Sequence, residues 1–211
     1  MVSTKGVVGL ILAGGRSSRM GGGDKCLLPL AGRPVLASVI ARLRPQVSDI
    51  VINANGEPAR FAPFGLPVVA DSVAGFAGPL AGVHAGLEWV KANRPGTRYI
   101  VTVASDTPFF PDDLVQRFLR ELDHHRSLFV AASAEGVHPV IGLWSVALAR
   151  DLHECLEQGI HKVGAFTKQH GAVEVFFAPV KVEERLVDPF FNINRPEELE
   201  QAGALLEHQP R

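Results

Sequence analysis

Four stretches of this chain place glycine, charged or amide residues directly after apolar runs of strand length. After Val7–Leu12 comes Ala13-Gly14-Gly15-Arg16-Ser17-Ser18-Arg19-Met20-Gly21-Gly22-Gly23-Asp24-Lys25, and Asn53, Asp71 and Ser105-Asp106 follow three further runs. Glycines admit backbone with φ > 0 and let N–H groups approach phosphate oxygens, while Arg19 and Lys25 supply the positive charge a polyphosphate needs. The stretch is not a P-loop, since Asp24 precedes the lysine and Cys26 follows it, and it contains no G-x-G-x-x-G. Asp106, ahead of Thr107-Pro108, offers a hard carboxylate of the kind that ligates Mg²⁺ beside phosphates. Asn53 and Asp71 suit either the nucleoside or the metal, because an amide both donates and accepts and a carboxylate accepts from base N–H or ribose hydroxyl groups.

Such residues converge only if the elements before them lie side by side. Strand-length apolar runs alternate with segments of helical period, which predicts βα units around a mostly parallel sheet, with ligands bound at the carboxyl edge. Strands are expected at Val7–Leu12, 50–52, 66–70, Tyr99–Ala104, 128–132, 137–144 and 172–177. Helices are expected from Pro34 to Pro45, over 78–90, from Pro111 with Asp112 and Asp113 in its first turn, over 146–158, around 162–170, and from about Pro196. The Gly/Pro-rich stretches 54–67 and 71–79 read as functional loops.

Composition bounds the reading. The chain has 211 residues, 46% hydrophobic and 20% charged, which excludes disordered, collagenous and coiled-coil classes. A net charge of -1 argues against a non-specific nucleic-acid or membrane-surface binder, but the charge is uneven: residues 1–45 carry seven basic side chains against Asp24 alone. Anion binding therefore belongs near the N-terminus. Cys26 and Cys155 are the only cysteines and neither sits in a metal-ligand motif, so a reducing, cytoplasmic setting and packed, inert thiols are expected. The first apolar run is too short for a membrane span.

The ordered set Leu12-Ala13-Gly14-Gly15-x-x-x-Arg19-Met20-Gly21-Gly22-x-Asp24-Lys25, Asn53, Asp71, Gly78-Pro79-Leu80-Ala81-Gly82, Asp106-Thr107-Pro108, His138-Pro139 and Asn192-Ile193-Asn194-x-Pro196-Glu197-Glu198-Leu199 resembles the molybdenum cofactor guanylyltransferases of the bacterial MobA type. The resemblance implies a single three-layer α/β/α Rossmann-like nucleotidyltransferase domain over 1–211, with a GTP-binding part at about 1–110 and a part at about 111–211 completing the pterin side. It implies transfer of GMP from GTP to the terminal phosphate of molybdenum-molybdopterin, with release of pyrophosphate and dependence on Mg²⁺. Leu12, Ala13, Gly14, Gly15, Lys25, Asn53, Asp71 and Asp106 would bind GTP; Lys25, Asp106 and Arg19 would carry catalysis; Asp106 would hold the metal. His138, Asn192 and Asn194 would face the pterin. A monomer is expected, handing its product to cofactor-insertion proteins or molybdoenzymes, with no nucleic-acid or membrane partner.

Two positions depart from the family pattern. Ser105 stands where cysteine is common, and Arg195 where a threonine frequently caps the last helix, so either Asn194 caps it instead or the helix begins less well satisfied. The attacking phosphate is already ionised at neutral pH, so no Ser-His-Asp or Cys-His system is required; positioning and charge neutralisation suffice. Two alternatives remain open at this point. One is a cytidylyl or sugar-phosphate nucleotidyltransferase, although Gly14 stands where cytidylyl relatives carry alanine; the other is a non-catalytic nucleotide-binding adaptor.

Overall fold

A computed structural model describes residues 4–14, 24–71, 78–122, 126–182 and 185–207. Arg19 and Gly15, assigned above to the phosphates and the nucleotide, lie outside the described residues.

The first strand, β1 (Val7–Leu12), is buried along its whole length and alternates its side chains between two cores. A two-residue strand β2 (Pro29–Leu30) turns back through Ala31 and Gly32, both at positive φ (47° and 81°), into β3 (Arg33–Pro34). This hairpin was not expected, and it moves the helix start. Pro34 belongs to the extended pair at ψ 142°, so helix α1 (Val35–Leu43) begins one residue later than the proline rule places it. Strand β4 (Asp49–Asn53) follows, then a 3₁₀ segment Pro58–Phe64 that buries Phe61 within the stretch read as loop. Strand β5 is shorter than expected, only Val68–Val69. Helix α2 (Pro79–Asn93) leads to β6 (Tyr99–Ala104).

Helix α3 (Leu114–Arg120) starts after Pro111, Asp112 and Asp113, not at them. Asp112 pairs with Arg42 at 3.0 Å instead of completing a first helical turn. Strands β7 (Leu128–Ser133) and β8 (Gly136–Ser145) form a bulged hairpin. A 3₁₀ turn at Val146–Leu148 precedes α4 (Ala149–Glu157), followed by α5 (Val163–Gln169) and β9 (Val173–Phe176). A second hairpin that the sequence did not disclose, β10 (Val180–Val182) with β11 (Arg185–Val187), precedes α6 (Pro196–Glu207).

The seven-stranded sheet runs β5-β4-β1-β6-β8-β7-β9, and within it only β8 opposes the common direction. Leu36, Val39 and Leu43 of α1 and Leu114 and Phe118 of α3 pack on one face; Leu80, Val83 and Leu87 of α2, Leu152 of α4 and Phe166 of α5 pack on the other. Each such side chain contributes about 1.5–3 kcal/mol by leaving water. A third, smaller core joins Leu30, Val35, Phe109 and Ile193 to Ala202 and Leu205 of α6, and so docks the last helix on the β2–β3 hairpin.

His84 is buried on α2, stacked on His153 of α4 with ring centroids 5.1 Å apart. Burial pushes its pKa below the usual histidine value, against the opposing pull of the Glu88 carboxylate. An unfolded imidazole takes up its proton near pH 6.5 while the folded one resists, so the unfolded state binds more protons and stability falls as pH drops. His138, also lowered by burial, acts in the same direction. The melting temperature is expected to be level above about pH 7 and to decline below about pH 6, with a shallower decline in His84→Gln; an unaltered slope in that variant would assign the acid sensitivity to other groups.

Candidate active site

The chain leaves β1 to build β4 and β5 on one side and returns to build β6 on the other, so β1 and β6 flank the switch point where open α/β sheets bind ligands. Their ends are held in register: the Ala13 N–H donates to the Asn53 carbonyl at 2.8 Å and the Ser105 N–H to the Leu12 carbonyl at 3.1 Å. Leu12 and Asp106 thereby border one cleft of about 620 Å³, which extends past Pro79 to His138, Phe190 and Asn192. A volume of this order suits a ligand of nucleotide size.

Lys25 opens a 3₁₀ turn (Lys25–Leu27) and reaches two residues of the cleft wall, Asp106 and Asn194. Its ammonium donates to Asp106 Oδ2 at 2.9 Å, Asn194 Oδ1 at 2.9 Å and the Ile193 carbonyl at 3.3 Å. An ammonium has three N–H donors, and three protein acceptors meet them. The Ile193 N–H in turn donates to the Asp106 carbonyl at 2.9 Å, which straps the segment before α6 across the end of β6. Asn194 therefore holds Lys25 and does not cap α6. The capping falls to Glu198, whose Oε2 accepts from the N–H groups of Asn194 (2.6 Å) and Arg195 (3.0 Å). Half of a capping box survives without the hydroxyl that Arg195 lacks.

Asn53 and Asp71 are brought together, but not as two open ligands. Asn53 is 3% exposed, and its amide donates to the Val69 carbonyl (3.2 Å) and Asp71 Oδ1 (3.0 Å). The other Asp71 oxygen accepts from Asn55 Nδ2 at 2.7 Å, and the Asp71 N–H donates to Asn55 Oδ1 at 2.9 Å. Asn53 thus positions Asp71 from beneath, and Asn55, which sequence reasoning passed over, grips it from the other side. No period marks it, because β4 ends at Asn53.

At the far end of the cleft His138 is half-buried, with Nε2 2.8 Å from Ser133 Oγ and its ring 4.8 Å from that of Phe190. Asn192 lies beside it on the cleft wall. Cys26 is buried, and desolvation, aided by the Asp24 and Asp106 carboxylates, pushes its thiol up to about 11, so it stays protonated and unreactive, as expected. Phe109 and Phe110 are core residues.

Residues 9–173 match the MobA-like NTP transferase domain. The chain belongs to that family. Over 211 residues it is 48% identical to the molybdenum cofactor guanylyltransferase of Bradyrhizobium sp. (strain ORS 278), covering 99% of this chain and 97% of the relative. It is 50% identical over 195 residues to the enzyme of the same name from Rhodopseudomonas palustris (strain BisB5), covering 92% and 90%. Among solved structures it is similar to molybdopterin-guanine dinucleotide biosynthesis protein A from Archaeoglobus fulgidus, with a TM-score of 0.71 at 20% identity, covering 96% of this chain and all of that one. The family is one of nucleotidyltransferases, and the mostly parallel, three-layer sheet inferred from the sequence is the fold they share. Among the described residues no helix is long and apolar enough to cross a membrane.

Proposed function

We propose that this protein transfers GMP from GTP to the terminal phosphate of molybdenum-molybdopterin, forming the guanine dinucleotide cofactor and releasing pyrophosphate. The observation that carries the reading is the meeting of Lys25 and Asp106 at the switch point, where Asp106 and Asn194, both bound to Lys25, line the cleft. GTP lies at the ends of β1, β4 and β6, along Leu12, Ala13 and Gly14, with Asp71 toward the nucleoside. The acceptor enters from the side of His138 and Asn192, so that residues 1–110 bind the donor and 111–211 complete the acceptor site.

The acceptor phosphate oxygen attacks the α-phosphorus of GTP in line; one P–O bond forms as the α–β P–O bond breaks, and pyrophosphate carries away the electron pair. Lys25 neutralises charge that accumulates on the phosphates, and its three acceptors fix the ammonium before substrate arrives, so little reorganisation is left for the reaction. The Asp106 carboxylate fits Mg²⁺, which typically takes one or two protein carboxylates and fills its remaining positions with phosphate oxygens and water. When bound there, Mg²⁺ would supply Lewis-acid polarisation of the phosphates. The reaction takes place in the cytoplasm on a monomer, whose product passes to insertion proteins or molybdoenzymes.

A pyrophosphate-release assay across the four nucleoside triphosphates, with and without molybdopterin and with Mg²⁺ present, tests this reading. Release is expected from GTP only when molybdopterin is supplied. Preference for CTP would make the protein a cytidylyltransferase, and GTP binding without turnover on any pterin would make it an adaptor.

A further inference from the structure

Arg60 lies in the 3₁₀ segment after β4 and belongs to no motif of the sequence reading. Its guanidinium nevertheless joins the Asp24 carboxylate to the 55–57 segment after β4. Nε is 2.6 Å from Asp24 Oδ2, Nη2 donates to the Asn55 carbonyl at 2.6 Å, and Nη1 donates to the Glu57 carbonyl. The guanidinium carbon sits 4.6 Å from the centroid of the buried Phe61 ring, so the half-buried group rests on a core side chain.

Two of the three residues it holds, Asp24 and Asn55, lead directly to the site. Asp24 precedes Lys25 and its carbonyl accepts the Leu27 N–H at 2.9 Å, closing the turn that aims the lysine. Asn55 grips Asp71 through both ends of its amide. Asp24 also poses an electrostatic problem, since it is an anion in the loop that is to receive a polyphosphate. A cation at 2.6 Å offsets that repulsion.

We propose that Arg60 is a positioning residue for GTP: it neutralises Asp24 and locks the Lys25 turn to the Asn55–Asp71 pair without touching the nucleotide. This rests on the reading that the strand ends hold GTP. Planar, five-donor geometry is required, because a lysine ammonium cannot span Asp24 and two carbonyls in one plane.

The test is GTP binding by calorimetry and steady-state kinetics in Arg60→Ala, Arg60→Lys, Asp24→Asn and the double variant, with thermal melts to confirm folding. Arg60→Ala is expected to weaken GTP binding about tenfold and to raise the KM for GTP while leaving the KM for molybdopterin unchanged, the misplacement being confined to the donor loop. Arg60→Lys is expected to recover only part of this. In the double variant, binding is expected to be no weaker than in the weaker single variant, since both changes break the Arg60–Asp24 pair. Unaltered GTP affinity in folded Arg60→Ala, or a KM raised equally for both substrates, overturns the proposal. Strictly additive losses also overturn it, because they would mean that Arg60 touches the triphosphate directly. Absence of GTP binding by the unsubstituted protein would instead overturn the donor-site reading beneath it.

Discussion

Asp106→Ala is expected to lower turnover by at least about a thousandfold while the protein still folds, because the loss of one preorganised electrostatic partner in phosphoryl or acyl transfer alone costs about 10²–10³. Here a single carboxylate serves two ends. In the proposed mechanism it is the group that would hold the cation, and it is the charged anchor of Lys25 at 2.9 Å. The fold is insulated from the change by the way the strap is made. Ile193 donates to the Asp106 main-chain carbonyl, which alanine retains, and Lys25 keeps Asn194 and the Ile193 carbonyl as acceptors. Both side chains of the pair are 16% exposed, so its contribution to stability is discounted by solvent, and the expected loss is on the order of 1 kcal/mol, a few degrees in melting temperature.

Asp106→Asn separates the two duties. The amide oxygen still accepts from Lys25, so the melting temperature returns toward that of the parent, but the formal charge offered to a cation is gone and turnover stays low. Single-turnover pyrophosphate release with saturating Mg²⁺ is the measurement. Retention of more than about a tenth of parental turnover by Asp106→Ala, a loss of under about 1.4 kcal/mol in transition-state stabilisation, would place the cation on another group.

Much of this site is visible in the sequence because strand-end residues announce themselves. A run such as Val7–Leu12 is apolar on both faces, so it belongs to the middle of a sheet, and whatever follows it lies at an edge where ligands bind. That logic locates Lys25, Asp71 and Asp106 before any contact is known. It does not tell which polar residue faces ligand and which faces protein. Asn53 has the chemistry of a nucleoside ligand, and its burial beneath Asp71 follows from the pairing of β4 with β5, a long-range fact. Asn194 has the chemistry of a helix cap, and its diversion to Lys25 depends on α6 docking against the β2–β3 hairpin, whose strands are two residues each and leave no periodic pattern to read. Arg60 was hidden for a related reason, since the 3₁₀ segment that carries it is too short and too proline-rich to show a period.

Gly82→Ala is the second large expected effect, and it joins fold to function at one atom. Gly82 lies on the face of α2 that presses on β1 and β4, and a Cβ built there would stand 2.2 Å from Asn53 Oδ1, 2.8 Å from Asn53 Cγ and 2.9 Å from Leu12 Cδ2. Asn53 has nowhere to retreat, because its amide is bound to Val69 and Asp71 and its main chain is paired with Leu12. Either α2 lifts from the sheet or the amide turns and releases Asp71. Overpacking costs about 1–3 kcal/mol, of which alanine's better helix propensity returns at most about 1. Gly86→Ala is the matching control. Its Cβ would meet Leu10 at 2.4 Å, a clash of the same severity on the same helix, but with an apolar side chain that holds nothing in the cleft. Both variants are expected to melt at lower temperature, and only Gly82→Ala is expected to weaken GTP binding by about tenfold or more, equivalent to about 1.4 kcal/mol. Equal GTP affinities in the two variants would show that the Asn53–Asp71 pair is scaffold alone, and the nucleoside would then be held by β1 and β6 without help from β5.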